Sequence, residues 1–589
     1  MFEYLALAHD PDNAQARREA MALTARLPQP NRWRSAFQSD ALHVLYRAAY
    51  PAFAATVRND IVIVGNHFPM PASDGSAPPR RTCHPDGFPP DRWGNYVALR
   101  VTPDRRLHIY REPTAQLPCL HVEYGGVHVL ASRITTLKTV TSRFFPVERA
   151  YLHRHLLGRL GTCRCQPLAG LTSVAGGDGV EIDLTQAPCT FFRRSHWQPA
   201  SWISPDTEIA DPNAAAQSLR QVTRYCIEHW ARTSPTSLMR LSGGLDSSIV
   251  FGCLAQAGPA PLPAGTYFDP PGVNDGRRRA PRAASHPPFY RRMIAFRTDD
   301  VNVPAIATLQ PTLEPVSTLP YLQRAPIERS LAAEYGASAV FTGQGGDASF
   351  CRDSIALTPL DHVGRHGFTP ALGRLCAQVA RHTGSSFWQE LAAARRYRRN
   401  GVSHDIVPGT TELSALLDPE VARARLPAAP THSWLDTPHG VPSLPRRLGS
   451  LLSSVDNDDI SAHSDDAPTI ISPLLSRPII ETCLRIPSYV HFKDGIERGL
   501  ARAAFADELP LSIRRRCWKD RAPGFIERII GRHQSFVREF LLEGILVRDH
   551  WLSKPAVEAA LADRAGGSQV SALEIMNHVD TEAWVRHWS

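Results

Sequence analysis

The pattern of apolar and polar residues divides the chain into a β-rich first part and a second part that alternates strands and helices. Short apolar or alternating runs at residues 61–64, 96–101 and 107–111 are typical of strands. A Gly-Asn turn is predicted at 94–95, and a run at 119–131, interrupted by two glycines, predicts a β-hairpin. We therefore expect the first 200 residues to consist mainly of strands and turns.

The second part begins with a clear helix signal at Asp211 and Pro212. Aspartate suits the N-cap, and proline suits the first helical position, where no N–H group is needed. A short strand at 237–241, a glycine turn and a helix that includes residues 249–254 follow. Helix, strand, turn and helix in this order predict an α/β domain with a parallel sheet.

These signals predict two domains, residues 1–205 and residues 206–589. Segments 268–290 and 400–445 are rich in proline, glycine and arginine, which predicts loops. From residue 474 to 588 the pattern is mostly helical.

Composition excludes several classes of protein. The 589 residues are 43% hydrophobic and 21% charged, as in ordinary globular proteins. Apolar runs are too short for a membrane span, and the N-terminus lacks the basic start of a signal peptide. The eleven cysteines contain no CxxC pair, which argues against a structural zinc site or a disulfide framework. We therefore expect a cytoplasmic protein without a membrane partner.

Arginine carries almost all of the positive charge behind the net +8. Only four of the 65 basic residues are lysines: Lys138, Lys493, Lys519 and Lys554. Because the arginines are scattered along the chain, we do not expect nucleic acid as a main partner. The scarcity of lysine makes each one more informative about function.

The strongest chemical signal is the segment SGGLDSS at residues 242–248, between a predicted strand and a predicted helix. Its glycines allow a tight turn with accessible N–H groups, which form a nest for phosphates together with the helix N-terminus. Ser242, Ser247 and Ser248 can add hydroxyl donors. Asp246 would repel a phosphate by itself, so we expect it to hold Mg²⁺. The alternative is a plain strand-to-helix turn with a Ser/Asp cap.

This segment resembles the pyrophosphate loop (PP-loop) of ATP pyrophosphatases, and the GxxxxGK pattern of a Walker A loop is absent. The resemblance implies cleavage of ATP between the α- and β-phosphates, formation of an acyl-adenylate and attack by a nitrogen nucleophile. A second segment, FTGQGGD at 341–347, resembles the SGEGSDE segment of asparagine synthetases. That match implies that Asp347 is a second Mg²⁺ ligand. The two aspartates can meet if the strands before them end at one edge of a sheet.

Segments 472–478, 493–495 and 509–519 resemble the C-terminal run of the same family. The match implies that Lys519 is the cation facing the α-phosphate, the alternative being an exposed surface charge. The implied catalytic residues are Lys519, Asp246 and Asp347, and the two aspartates are also the implied Mg²⁺ ligands. The implied ATP-binding residues are Leu241, Ser242, Gly243, Gly244, Asp246, Ser247, Ser248, Thr342 and Gly343.

The first domain resembles the glutaminase domain of asparagine synthetases on segments 93–99, 107–111 and 126–132. That domain needs a cysteine directly after the initiator methionine, but Phe2 stands there and the nearest cysteine along the chain is Cys83. We therefore predict no glutamine hydrolysis and a structural or docking role. The overall prediction is an α/β (α+β overall) fold. In it, a β-rich degenerate N-terminal-nucleophile glutaminase-like domain precedes a PP-loop ATP pyrophosphatase domain with a parallel sheet.

Without ammonia from glutamine, the amine must come from elsewhere, and β-lactam synthetases and lasso-peptide cyclases use an amine of the substrate. Gln344 replaces a family glutamate that is a candidate base, but a peptide α-amine with a pKa of about 7.7–8.0 needs little base. Gln344 and Phe2 together resemble lasso-peptide macrolactam synthetases. The resemblance implies that an Asp or Glu side chain of a precursor peptide is adenylated and captured by the peptide's N-terminal amine. It also implies a leader peptidase as partner.

Three alternatives remain open. The nearest is an ammonia-dependent asparagine synthetase or another amide-forming ligase of the same family. A tRNA-modifying thiolation enzyme would need a cysteine pair near the nucleotide, for which Cys253 and Cys351 are the candidates by position. The third is a non-enzymatic scaffold for a peptide-processing complex.

Overall fold

The computed structural model describes most of the chain. The described residues are 2–48, 55–58, 60–71, 88, 91–158, 164–186, 190–257, 264–268, 291–295, 300–400, 413–427, 431–435, 441–455, 467–516, 524–562 and 570–589. Cys83, Lys519 and nearly all of the loop predicted at 268–290 lie outside these residues.

Two antiparallel sheets, each of six strands, form the first part of the described chain. Their strands are β1 (Phe2–His9), β2 (Arg34–Gln38), β3 (Leu42–Ala48), β4 (Ala55–Arg58), β5 (Ile61–Pro69), β6 (Arg92–Val101), β7 (Arg106–Arg111), β8 (Leu120–Tyr124), β9 (Val127–Ala131), β10 (Thr172–Ser173), β11 (Asp178–Asp183) and β12 (Phe191–Ser195). The strand order is β10-β8-β9-β1-β3-β2 in the first sheet and β12-β11-β7-β6-β5-β4 in the second. Helices α1 (Ala14–Ala25), α2 (Ile134–Thr141) and α3 (Arg149–Leu156) accompany them.

The first sheet is buried on both faces. Alternate residues of β1 point to opposite faces, so Tyr4 and Ala6 pack with Val97 of the second sheet, while Leu5 and Leu7 join a core that includes α1 and α2. The β-rich character predicted for this part is therefore confirmed, and the predicted hairpin is the β8–β9 pair.

One predicted turn is wrong. Gly94 and Asn95 lie inside β6, where they pair with His67 and Asn66 of β5. Gly94 has φ +149°, and a Cβ on it would lie 2.1 Å from the carbonyl oxygen of Asn66. The glycine serves a close approach of two backbones, which the dipeptide pattern does not distinguish from a turn.

A five-stranded parallel sheet forms the centre of the second part, in the order β15-β14-β13-β16-β17. Its strands are β13 (Ser237–Arg240), β14 (Ala264–Phe268), β15 (Arg291–Ala295), β16 (Ala339–Phe341) and β17 (Thr469–Ile471). The preceding helix, α4 (Pro212–Ala231), begins as predicted, because Asp211 accepts hydrogen bonds from the N–H groups of Asn213 and Ala214. Together with the antiparallel sheets, this sheet establishes the predicted mixed α/β fold class.

The remaining elements of this part are helical. They are α5 (Leu245–Ala257), α6 (Leu319–Tyr335), α7 (Gly346–Ser349), α8 (Thr358–His366), α9 (Pro370–Thr383), α10 (Phe387–Asn400), α11 (Pro419–Arg423), α12 (Leu444–Val455), α13 (Arg477–Arg485), α14 (Ser488–His491), α15 (Gly499–Ala504), α16 (Leu511–Arg514), α17 (Phe525–Arg532), α18 (Gln534–Leu542), α19 (Ile545–Arg548), α20 (Lys554–Ala562) and α21 (Ala572–His587). The helical pattern predicted after residue 474 is confirmed. Within the described ranges, no helix has the length and apolar character needed to cross a membrane.

The loop predicted at 400–445 is wrong in part, because it contains α11 and the start of α12. Asp418 caps α11 through the N–H of Glu420, and Pro419 follows at the first helical position. This is the same Asp-Pro signal that marks α4. Here the high proline and glycine content of the surrounding segment concealed it.

The β-rich part packs on the parallel-sheet part through buried contacts. The Nε1 of Trp197 donates to Glu481 at 2.8 Å, and the Nη1 of Arg477 donates to the carbonyl of Arg92 at 3.3 Å. Arg477 and Glu481, both in α13, also form a buried ion pair with each other at 2.6 Å. These contacts join the first part to the second, and the role of the first part stays a prediction. The domain boundary after residue 205 stays a prediction.

Candidate active site

Three loops meet where parallel strands β13, β16 and β17 end. The first joins β13 to α5, the second joins β16 to α7, and the third follows β17 at Ser472. The hydroxyls of Thr342 and Ser472 are hydrogen-bonded at 3.0 Å, which connects the second and third loops. The carboxyl ends of neighbouring parallel strands are the usual place for a ligand in an open α/β sheet.

The first loop is shaped by its glycines and serines. Gly243 adopts φ +73°, a left-handed conformation that favours glycine. Ser247 and Ser248 are buried and donate to the carbonyl of Gly244 at 3.3 and 2.7 Å, so both hydroxyls hold the loop onto the first turn of α5. Ser242 is exposed and is therefore the loop hydroxyl that a ligand reaches most easily.

The second loop lies directly against the first. A Cβ on Gly343 would lie 2.4 Å from the backbone nitrogen of Ser247, and one on Gly346 would lie 2.5 Å from the Cγ of Asp246. Glycine is required at both positions because no space for a side chain remains. Leu241 and Thr342 are buried at the two strand ends, so they frame the site.

The structure brings Asp246 and Asp347 together through a residue that the sequence did not single out. The Nη1 atom of Arg498 donates to Oδ1 and Oδ2 of Asp246 at 2.8 and 2.6 Å, and to Oδ1 of Asp347 at 2.6 Å. Arg498 directly precedes α15, and its side chain is only 7% exposed. Burial by itself lowers the pKa of Arg498, but the two facing carboxylates more than offset this effect, so its pKa lies above the ordinary value.

Further charged residues surround this centre. Glu497 contacts Nη2 of Arg498 at 2.7 Å, and Arg352 bridges Glu497 and Asp347 at 3.1 Å to each. On the side of the first loop, Nη1 of Arg516 donates to the carbonyl of Gly243 at 3.1 Å. One sequence signal could have pointed to Glu497 and Arg498, because they come shortly after the segment 493–495 that resembles the family.

The donor set fits a divalent cation and a nucleotide. Three carboxylate oxygens converge on one nitrogen atom, and carboxylate oxygens are the ligands that Mg²⁺ prefers. In the part of the chain that is described, no group of three or more His, Cys, Asp or Glu side chains could hold a metal ion. The two aspartates would thus leave coordination positions for phosphate oxygens, which is how Mg²⁺ is usually held with a nucleotide. Lys519 lies outside the described residues, but Arg516, three positions earlier, reaches the loop.

The family comparison agrees with this geometry. The model of the asparagine synthase family matches residues 219–586, which is more than half of the chain and includes all three loops. The chain belongs to the asparagine synthase family. It is therefore an ATP-dependent ligase that forms amide bonds, and ATP is the expected nucleotide at this site. No curated protein matches the chain.

Two solved structures show distant similarity to this asparagine synthase family member. One is the allosteric regulatory enzyme of purine biosynthesis, with 10% identity and a TM-score of 0.19 over 50% of this chain and 80% of that chain. The other is glutamine phosphoribosylpyrophosphate amidotransferase from B. subtilis complexed with ADP and GMP, with 11% identity and a TM-score of 0.19 over 76% and 99%. At these TM-scores the similarity supports no conclusion about activity.

Proposed function

We propose that this protein closes a macrolactam ring in a ribosomal precursor peptide, as lasso-peptide cyclases do. A side-chain carboxylate of the peptide attacks the α-phosphorus of ATP and pyrophosphate leaves. The peptide's N-terminal amine then attacks the acyl carbon, AMP leaves, and the amine proton is released. The observation that carries the ATP chemistry is the meeting of Asp246 and Asp347 beside two glycine loops.

The chain's own residues have distinct parts in this proposal. Asp246 and Asp347 would hold Mg²⁺, which when bound neutralises phosphate charge and orients the reacting groups. The loop that contains Gly243 and Gly244 would hold the phosphates through its N–H groups. Lys519 remains the proposed cation for the charge that develops on the α-phosphate. Much of the rate would come from positioning the two ends of one peptide.

The first part of the chain supports an amine that belongs to the substrate. Phe2, at the place of the glutaminase nucleophile, pairs with Ala48 in the first sheet, and its ring stacks on Tyr46 at 6.2 Å. Cys119 lies near Tyr4, but burial raises the pKa of its thiol to about 11. A thiol with such a pKa is almost fully protonated near neutral pH and is a poor nucleophile.

The thiolation alternative is not supported by the two cysteines near the site. Burial raises the pKa of Cys253 to about 12 and that of Cys351 to about 11. The thiolate is the reactive form of cysteine, and both residues would hold very little of it at neutral pH. An amide-forming reaction needs neither thiol.

The proposal is tested with synthetic peptides that carry a free N-terminus and one Asp or Glu at varied positions, incubated with ATP and Mg²⁺. We expect AMP and pyrophosphate, together with a peptide that has lost one water and its free amine. Formation of ADP and phosphate contradicts the chemistry. Asparagine formed from aspartate and ammonium, without peptide cyclisation, selects the ammonia-dependent alternative.

A matched pair of variants ties the reaction to the site. Asp347→Asn keeps the size of the side chain but removes its charge, and we expect pyrophosphate release to fall by about 100-fold or more. Asp353→Asn changes a nearby exposed carboxylate that accepts a hydrogen bond from Ser450 at 2.6 Å, and it should leave the rate unchanged. Equal rates in both variants would place the chemistry elsewhere.

A further inference from the structure

Arg498 stands where carboxylate oxygens converge. Its Nη1 atom lies 2.6–2.8 Å from both oxygens of Asp246 and from one oxygen of Asp347. A terminal guanidinium nitrogen carries only two hydrogens, so it cannot give each of three oxygens a full hydrogen bond. Three anionic oxygens around one point suit a small divalent cation better than a single N–H donor group.

The backbone at Arg498 holds the side chain there. Arg498 adopts φ +53°, a left-handed conformation that is unfavourable for a residue with a Cβ. The residue is 7% exposed, and its Nε atom is buried without a hydrogen-bond partner among the described residues. A strained backbone and an unsatisfied polar atom at one residue point to a role in function.

We propose that the guanidinium of Arg498 occupies the metal site while no metal ion is bound. Before a metal binds, this guanidinium holds the carboxylates of Asp246 and Asp347 together, and it competes with Mg²⁺ for the same oxygens. The inference rests on the proposed function only in that it assumes Mg²⁺ binds these two aspartates. Arg498 acts through the aspartates and is therefore a positioning residue.

The charges around the site explain why the guanidinium of Arg498 competes with a divalent cation. Among the described residues, Asp246, Asp347 and Glu497 bring three negative charges against the two positive charges of Arg498 and Arg352. Without Arg498 the two negatively charged aspartates would repel each other. With it, a metal ion must displace a guanidinium, so metal binding without nucleotide is weak. A bound triphosphate would favour displacement of the guanidinium, because it supplies further metal ligands and an anionic partner for the displaced side chain.

The test measures binding of Mn²⁺ to the full chain without nucleotide, by electron paramagnetic resonance. In Arg498→Met the competitor is gone, and we expect the dissociation constant for Mn²⁺ to fall by about tenfold. The control is Arg352→Met, which removes the same charge from the same cluster; among the described residues, the ion pairs of Arg352 are with Asp347 and Glu497. Because Arg352 contacts one oxygen of one proposed metal ligand and Arg498 contacts three oxygens of both, Arg352→Met should change the constant by no more than about threefold.

Thermal unfolding gives a second readout. Without metal, Arg498→Met should unfold at a lower temperature than wild type, and saturating Mn²⁺ should restore most of the difference. Arg498→Lys keeps a positive charge and should bind Mn²⁺ with an affinity between those of wild type and Arg498→Met. This variant replaces Arg498→Met in the test if the methionine variant does not fold.

Two results would overturn the inference: unchanged Mn²⁺ affinity in the Arg498 variants, or an equal gain in Arg352→Met. Failure of the proposed function looks different. If wild type binds no Mn²⁺ even with ATP, or if Asp347→Asn binds it as well as wild type, then the two aspartates are not the metal site.

Discussion

A single methyl group at position 346 tests the geometry of the active site. A Cβ on Gly346 would lie 2.5 Å from both Cγ and Oδ1 of Asp246, where ordinary contacts begin at 3.4 Å. The carboxylate of Asp246 must therefore move by about 1 Å, a displacement that can reduce a rate by about 100-fold. The Cβ of Asp246 lies 2.6 Å from the same point, and because this atom is bonded to the backbone, the start of α5 must shift as well.

We expect Gly346→Ala to retain the fold. Its free energy of unfolding should fall by about 1–3 kcal/mol, because the added methyl group overpacks the contact between the two loops although the φ of Gly346 suits alanine. The dissociation constant for ATP with Mg²⁺, measured by calorimetry, should rise, and pyrophosphate formation should fall by about 100-fold. Both quantities should change because the carboxylate of Asp246 is displaced, and not because the protein unfolds.

The control is Gly373→Ala near the start of α9. A Cβ on Gly373 meets no atom within 4 Å, so alanine should raise the free energy of unfolding by about 0.5–1 kcal/mol and leave ATP binding unchanged. If Gly346→Ala turns over ATP like wild type, Asp246 does not need its observed position, and the metal assignment is refuted.

Three further predictions concern the loop, the contact between the two parts of the chain, and pH. Ser242→Ala should weaken ATP binding by about tenfold because this hydroxyl is exposed to a ligand, whereas Ser248→Ala should cost about 1 kcal/mol of stability without affecting ATP because Ser248 is buried and donates within the loop; equal effects on ATP binding contradict this. Arg477→Met should lower the free energy of unfolding by about 3–5 kcal/mol by leaving the buried carboxylate of Glu481 without a positive partner in α13, and Glu481→Met added to it should recover part of the loss in urea unfolding. Burial raises the pKa of Asp580 to about 7, so the folded state retains a proton that the unfolded chain releases near pH 4. Stability should therefore fall as pH rises from about 4 to 7, and Asp580→Asn should flatten this slope in urea titrations; an unchanged slope assigns the effect to other groups.

Local structure could be predicted from the sequence because it depends on residues that are neighbours along the chain. The Asp-Pro start of α4, the two-glycine hairpin and the SGGLDSS turn each depend on backbone preferences within a few residues. The same patterns failed at Gly94, where the cause is a neighbouring strand, and at 400–445, where overall composition concealed a local cap. The fold class followed because the order of strands and helices permits few arrangements.

Only the tertiary structure decided which charges share the site. Asp246 and Asp347 meet because two strands far apart in the chain lie side by side in one parallel sheet. Arg498 reaches both from a position 252 and 151 residues away, and no local pattern marks such a contact. Its place depends on the packing of the segment before α15, a property of the whole fold. The sequence alone determined that the chain carries the parts of a nucleotide site, and the fold decided that an arginine lies between its two aspartates.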